Sequence, residues 1–258
     1  MRFNRVRALL QQGKAAFGTM IQEFRSPAIA YILANAGFDF AFIDMEHGTF
    51  SLETVSDLIK AIRLAGLTVL VRVPEGQYPF IAPVLDAGAE GVMVPRVETR
   101  SQVETLVQAA RYPPLGKRGL SITKGHNDYR KANSLEFVAQ ANRENLVILQ
   151  IERKEAVENI DDLLSVAGVD AALIGPNDLS LSLGLTVEFS HPDLRAAMVK
   201  VVEACRRHGK YSGIHTSLEP LIEWARQGMQ LLTLSTDIDF LSNAYVQGLA
   251  NLKSGIDG

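Results

Sequence analysis

The chain has 258 residues, 47% of them hydrophobic and 21% charged, with a formal net charge of −3. That composition suits a soluble globular protein with a sizeable core, and it leaves no basic footprint for nucleic acid. No apolar run approaches the ~20 residues of a membrane span. The N-terminus lacks the apolar centre of a signal peptide, and the single cysteine, Cys205, excludes an internal disulfide. A cytoplasmic protein is therefore expected.

Short apolar runs recur along the chain, continuous rather than alternating, as parallel strands covered on both faces require. The first is 17–21 (FGTMI), followed by a helical stretch over 27–36 that stops at Gly37. The second is 40–44 (FAFID); Ser51 then opens a helix with Glu53 and Thr54 in its first turn and Gly66 at its end. The third and fourth are 68–73 (TVLVRV) and 91–95 (GVMVP), the latter followed by a helix from Thr99 or Ser101 to Ala110. A long connection, RYPPLGKRGLSITKGHNDYRKANS, comes next; ordered insertions of this kind on a barrel serve as lids or oligomer contacts. The fifth to eighth runs are 146–151, 171–175, 211–215 and 231–235, with helical patterns over 153–165, 194–208, 218–227 and 239–252. This repetition predicts a (β/α)8 TIM barrel as a single domain over 1–258. A doubly wound open sheet is the alternative, but no GxGxxG follows the first strand.

In such a barrel the chemistry lies at the C-terminal ends of the strands. The second strand ends in Asp44, with Glu46 and His47 just beyond; the third carries Arg72. The fifth ends in Gln150 and Glu152, and Asp178 follows the sixth by a few residues. The seventh ends in His215 and Thr216, the eighth in Ser235, Thr236 and Asp237. An arginine inside an apolar strand needs an anionic partner, so Arg72 is either a buried ion pair or an oxyanion clamp. Glu152 and Asp178, on adjacent strand ends, suit Mg²⁺ or Mn²⁺, with water and substrate filling the other positions. Individually they read as blandly: Glu152 pairing with Arg153 or Lys154, and Asp178 capping a helix at Leu179. His47 is either a solvated helix-entry residue or a general base oriented by Asp44. None of the runs ends in lysine, which argues against a Schiff-base mechanism.

DMEHG, LVRVP, MVPRVET, YPPLGKRG, LQIE and IGPNDLSLSLG, in this order, resemble the HpcH/HpaI aldolase family, and the resemblance covers nearly the whole chain. It implies a class II aldolase that cleaves a 4-hydroxy-2-oxo acid reversibly to pyruvate or hydroxypyruvate and an aldehyde, through a metal-stabilised enolate. It also implies a barrel whose last helix is exchanged between subunits of a homo-hexamer built as a dimer of trimers. By the resemblance, Glu152 and Asp178 bind the divalent metal (Mg²⁺ or Mn²⁺, with Co²⁺ a further candidate). Arg72 stabilises the enolate oxygen and holds the 2-oxo acid, Asp44 and His47 form an acid–base dyad, and Gln150 lies beside the donor. The backbone around Gly175 and Pro176 receives the donor carboxylate. Met20, His126 and His215 depart from the family pattern and are candidates for the acceptor side. The competing readings are a CoA-ester lyase of the malyl-CoA or citramalyl-CoA type on the same fold, and a barrel without catalytic activity.

Overall fold

A computed structural model describes residues 3–257. Eight parallel strands close into a barrel in sequence order: β1 (Ala16–Ile21), β2 (Phe40–Asp44), β3 (Thr68–Arg72), β4 (Gly91–Val94), β5 (Leu146–Ile151), β6 (Ala171–Ile174), β7 (Tyr211–Thr216) and β8 (Leu231–Thr236). The helices are α1 (Arg5–Gln11), α2 (Ala28–Asn35), α3 (Leu52–Leu64), α4 (Tyr78–Ala87), α5 (Arg100–Ala110), α6 (Ser134–Glu144), α7 (Lys154–Glu158), α8 (Ile160–Leu164), α9 (Pro176–Ser182), α10 (Pro192–Arg207), α11 (Leu218–Arg226) and α12 (Asp237–Asp257). The expected barrel is the fold. Among the described residues no helix is long and apolar enough to cross a membrane.

Alternate strand residues face opposite sides. Met20, Phe40, Phe42, Leu70, Met93, Ile148, Leu173 and Leu231 form the inner cluster, whereas Ile43, Val69, Val71, Leu149 and Ile174 join the outer core beneath the helices. The barrel has room for Phe40 because Gly18 faces it; a Cβ at Gly18 would overlap the phenyl ring. Helix α1 seals the N-terminal end of the barrel. Its Val6 and Leu10 belong to the inner cluster, and Asn4 both accepts from Arg7 N–H as the N-cap and donates to the Glu90 and Glu144 carbonyls.

Helix α4 is absent from the sequence reading because Pro79 and Pro83 interrupt it; Pro79 sits at its start, where no intrahelical donor is needed, and buried Ile81, Val84 and Leu85 carry the rest. The stretch expected as one helix over 153–165 is broken at Asn159 into α7 and α8. The long connection after α5 does not cover the C-terminal face. Arg111 donates to the carbonyls of Gly168, Asn142 and Asn145, while Arg63 near the end of α3 holds the Gly125 carbonyl beside Ala87 at the end of α4. These contacts fix the segment at the opposite end of the barrel. His126 is buried there against Phe137, 3.5 Å from Asp86, so within one chain it is remote from the mouth and its expected acceptor role is corrected.

Candidate active site

The inward parity of each strand delivers its last polar residue into the mouth. In β2, Phe40 and Phe42 point inward, and so does Asp44; in β3 Arg72 follows Leu70, and in β5 Gln150 follows Ile148. The register sets Asp44 beside Arg72. Asp44 is fully buried and accepts from Arg72 Nε at 2.8 Å and Arg72 Nη2 at 2.5 Å, a bidentate pair. It also accepts from Gln22 Nε2 at 2.8 Å and from the backbone N–H groups of Glu46 and His47 at 3.0 and 3.3 Å. Burial pushes its carboxyl upward, but Arg72, with Gln22 and the Glu46 N–H, holds it below the ordinary carboxylate value. Arg72 is thus locked to Asp44 on one edge and more loosely held on the other. Its Nη1 lies 3.4 Å from Gln150 Oε1 and 3.3 Å from Glu46 Oε2.

His47 is exposed at the edge of the mouth. Asp44 positions it through its backbone N–H rather than its ring, because the carboxylate is occupied by Arg72 and Gln22. The expected ring-to-carboxylate dyad is not formed within the chain, and the imidazole is left available to a ligand. Replacing His47 by alanine is expected to lower turnover by about 10²–10⁴-fold and to leave metal affinity unchanged, as measured by single-turnover kinetics and metal titration.

Glu152 is 3% exposed. Its Oε1 accepts the Arg96 backbone N–H at 2.8 Å and its Oε2 accepts from Gln150 Nε2. Arg96 reaches this position in a left-handed conformation (φ 55°), and its guanidinium bonds the Pro74 carbonyl at 2.8 Å and lies 3.5 Å from Glu46. Asp178 is exposed in the first turn of α9, which begins at Pro176 and not at Leu179. Gly175 packs against Glu152 and Gln150, with a Cβ there falling 3.1 Å from Glu152 Oε2. Its N–H bonds the Ile151 carbonyl and Pro176 has none, so the open donors of that turn are the N–H groups of Asn177 and Asp178.

A cavity of about 310 Å³ opens between these groups, lined by Gln22, His47, Arg72, Gln150, Asp178 and His215 among others. That volume lies at the small end for ligand sites. Of the expected acceptor residues, His215 lines it. Met20 does not: it is wholly buried beneath Gln22, whose amide nitrogen is 3.9 Å from its sulfur. Sequence reasoning missed Gln22, Arg96, Asn177 and Asp239. Gln22 and Arg96 follow β1 and β4 directly, so extending each strand end by two residues would have found them. Asp237, expected at the mouth, instead accepts the backbone N–H groups of Gln22, Glu23 and Phe24 and fixes the turn after β1.

The donor set fits a hard divalent cation. Glu152 is a buried carboxylate whose burial and the neighbouring Asp178 charge push its carboxyl above the ordinary value, against the hydrogen bonds from Gln150 and Arg96. A cation relieves both effects. Among the described residues no three His, Cys, Asp or Glu side chains cluster as a metal site.

The fold and site define a class: a (β/α)8 barrel with carboxylates, amides, histidines and a buried arginine gathered at the C-terminal ends of its strands. The chain belongs to the HpcH/HpaI aldolase/citrate lyase family, whose model matches residues 22–244. It is 34% identical over 254 residues to a hydroxypyruvate/pyruvate aldolase of Roseobacter denitrificans, covering 98% of each chain. It is 32% identical over 255 residues to a 2-keto-3-deoxy-L-rhamnonate aldolase of Escherichia coli, covering 96% of this chain and 93% of that one. The crystal structure of an HpcH/HpaI aldolase from Desulfitobacterium hafniense superposes with a TM-score of 0.93 at 35% identity, covering 98% of this chain and 97% of that one.

Proposed function

We propose that the protein is a metal-dependent class II aldolase that cleaves a 4-hydroxy-2-oxo acid reversibly to pyruvate or hydroxypyruvate and an aldehyde. The observation that carries this reading is the convergence of Asp178, Gln150 and Arg72 on the lining of one small cavity, with His47 at its rim and the buried Glu152 carboxylate hydrogen-bonded to Gln150. Glu152 and Asp178 would hold Mg²⁺, Mn²⁺ or Co²⁺. A divalent cation bound there supplies Lewis acidity to the oxygens of the 2-oxo acid.

The chain's own residues account for the remaining steps. The N–H groups of Asn177 and Asp178 receive the donor carboxylate, and Gln150 borders the 2-oxo group. Arg72 directs Nη1 at the oxygen on which negative charge grows; the Asp44 pair holds the guanidinium rigid, so no reorganisation accompanies the charge. In cleavage, His47 removes the 4-hydroxyl proton, the C3–C4 bond breaks, and the electron pair passes into the enolate of the donor; protonation at C3 yields pyruvate. In synthesis the same imidazole returns the proton to the new alkoxide.

Incubation with pyruvate in D₂O tests this reading without an aldehyde. Metal-dependent loss of the methyl proton signal, abolished by a chelator, is expected; no exchange with any of the three ions overturns it.

The partner reading is a homo-hexamer in which α12 packs on a second copy. It is supported by the apolar side chains α12 exposes, Tyr245 at 71%, Val246 at 68%, Leu249 at 54% and Ile256 at 72%. An apolar groove of about 390 Å³ between α2 and the start of α12, lined by Ile21, Ile32, Leu33 and Phe240, supports it too. Sedimentation is expected to give a hexamer for the wild type and smaller species for Val246→Asp/Leu249→Asp.

A further inference from the structure

The cavity has two unlike walls. The donor groups come from β3, β5 and β6 and the turn after β6. The facing wall is built from the ends of β1, β7 and β8 by Gln22, His215, Thr236 and Asp239. Each of these side chains is fixed by the protein in a way that determines which atom it offers.

The amide nitrogen of Gln22 donates to Asp44, so the amide is oriented and its Oε1 is left as an acceptor. His215 Nε2 lies 3.1 Å from the Ser235 carbonyl, which can only accept, so the proton sits on Nε2. Burial holds this imidazole below its ordinary value, and the neutral ring therefore presents Nδ1 as a second acceptor. The Ser235 carbonyl takes this bond because Ser235 has a left-handed backbone (φ 51°) at an irregularity in the β1–β8 register; it also accepts from Thr19 Oγ1 at 3.3 Å. Asp239 receives the Ser235 hydroxyl on Oδ2 and its own N–H bonds Thr236 Oγ1, which leaves Oδ1 as a third acceptor carrying negative charge. Among the residues lining the cavity the only fixed cation is Arg72, and Asp44 already engages two of its donors.

Three acceptors on one wall of the cavity, with a negative charge among them, repel an anionic tail and leave an apolar tail facing polar atoms it cannot satisfy. Hydroxyl groups satisfy them. We infer that the acceptor substrate is an uncharged hydroxylated aldehyde, read by Gln22, His215 and Asp239. This inference rests on the aldolase reading and names the substrate class of the same site.

The test measures aldol addition of pyruvate, with Mn²⁺, to three short aldehydes: glyceraldehyde, propionaldehyde and succinic semialdehyde. Glyceraldehyde is expected to exceed each of the others in kcat/KM by at least about tenfold, a difference one retained hydrogen bond accounts for. Two variants are read as ratios within each protein, so that partial unfolding cancels. Asp239→Asn is expected to lower the preference for glyceraldehyde over succinic semialdehyde by about tenfold. His215→Leu is expected to lower the preference over propionaldehyde by about the same factor. Equal or better use of the anionic or aliphatic aldehyde by the wild type overturns the inference, as do unchanged ratios in both variants. Methyl exchange of pyruvate in D₂O separates the two readings: exchange without the aldehyde preference sinks this inference alone, and no exchange sinks the aldolase reading with it.

Discussion

Arg72→Ala is expected to slow turnover by about 10²–10³-fold, the range seen when one donor to a developing oxyanion is removed, and to destabilise the fold by about 3–5 kcal/mol. The second effect follows from Asp44. With Arg72 gone, a fully buried carboxylate keeps only Gln22 and two backbone N–H groups as partners. The two losses are separable. Asp44→Asn/Arg72→Met removes both charges together, so denaturant unfolding is expected to recover most of the stability while turnover stays low. pH adds a third readout. Asp44 is held below its unfolded value of about 3.9, so its contribution to stability is present above that value and is lost as pH falls through its folded value. The stability gap between the wild type and Arg72→Ala is therefore expected to be full at neutral pH and to narrow as pH falls, because without Arg72 burial raises the Asp44 carboxyl and the variant takes up its proton before the wild type does. Arg72→Lys is expected to behave more like alanine than like arginine in turnover, because an ammonium cannot reproduce the fork that grips Asp44 while pointing a further donor at Gln150.

Glu152 and Asp178 are expected to fail in different ways. Glu152→Gln should weaken metal binding by at least about 100-fold, above the 10–100-fold typical of residues that merely support a ligand, and it disturbs a buried contact with Gln150 and the Arg96 N–H. Asp178→Asn should also lose metal affinity, yet change stability by no more than about 0.5 kcal/mol, since the side chain is exposed. Metal titration followed by turnover, alongside thermal unfolding, measures both. Wild-type affinity in either variant removes that residue from the ligand set. The raised carboxyl of Glu152 fixes the direction of a pH effect as well. Its proton competes with the ion, so apparent metal affinity falls as pH drops toward that raised value and is fullest above it.

The barrel was legible because its strands are continuous apolar runs with polar residues at one end. FAFID shows this best: the parity that buries Phe40 and Phe42 also turns Asp44 inward, so fold and site are one pattern. Arg72, Gln150 and Glu152 were found for the same reason. Hydrogen-bond competition was not legible. Nearness in sequence pairs Asp44 with the His47 ring, but the carboxylate bonds Arg72 from the neighbouring strand, and that choice depends on strand register. His126 misled because a polar group in a long loop reads as functional, whereas contacts with Asp86 at the end of α4, with Arg118 of the same loop and with Phe137 in α6 bury it at the other end. Met20 misled by two residues, one repeat of the strand's inward face: the mouth begins at Gln22, and position 20 still belongs to the filled interior.

The helix that plugs the barrel floor has a kinetic consequence. With Val6 and Leu10 packed under the inner cluster, the cavity ends on filled barrel interior and no channel leads from it along the barrel axis. Two molecules that react in such a cavity queue in one file. On the proposed reading, the 2-oxo acid beside Gln150 arrives before the aldehyde and departs after it. On the proposed aldolase reading, initial-rate and product-inhibition kinetics are expected to show compulsory order, with the 2-oxo acid first in and last out, because the filled barrel interior leaves no way past it.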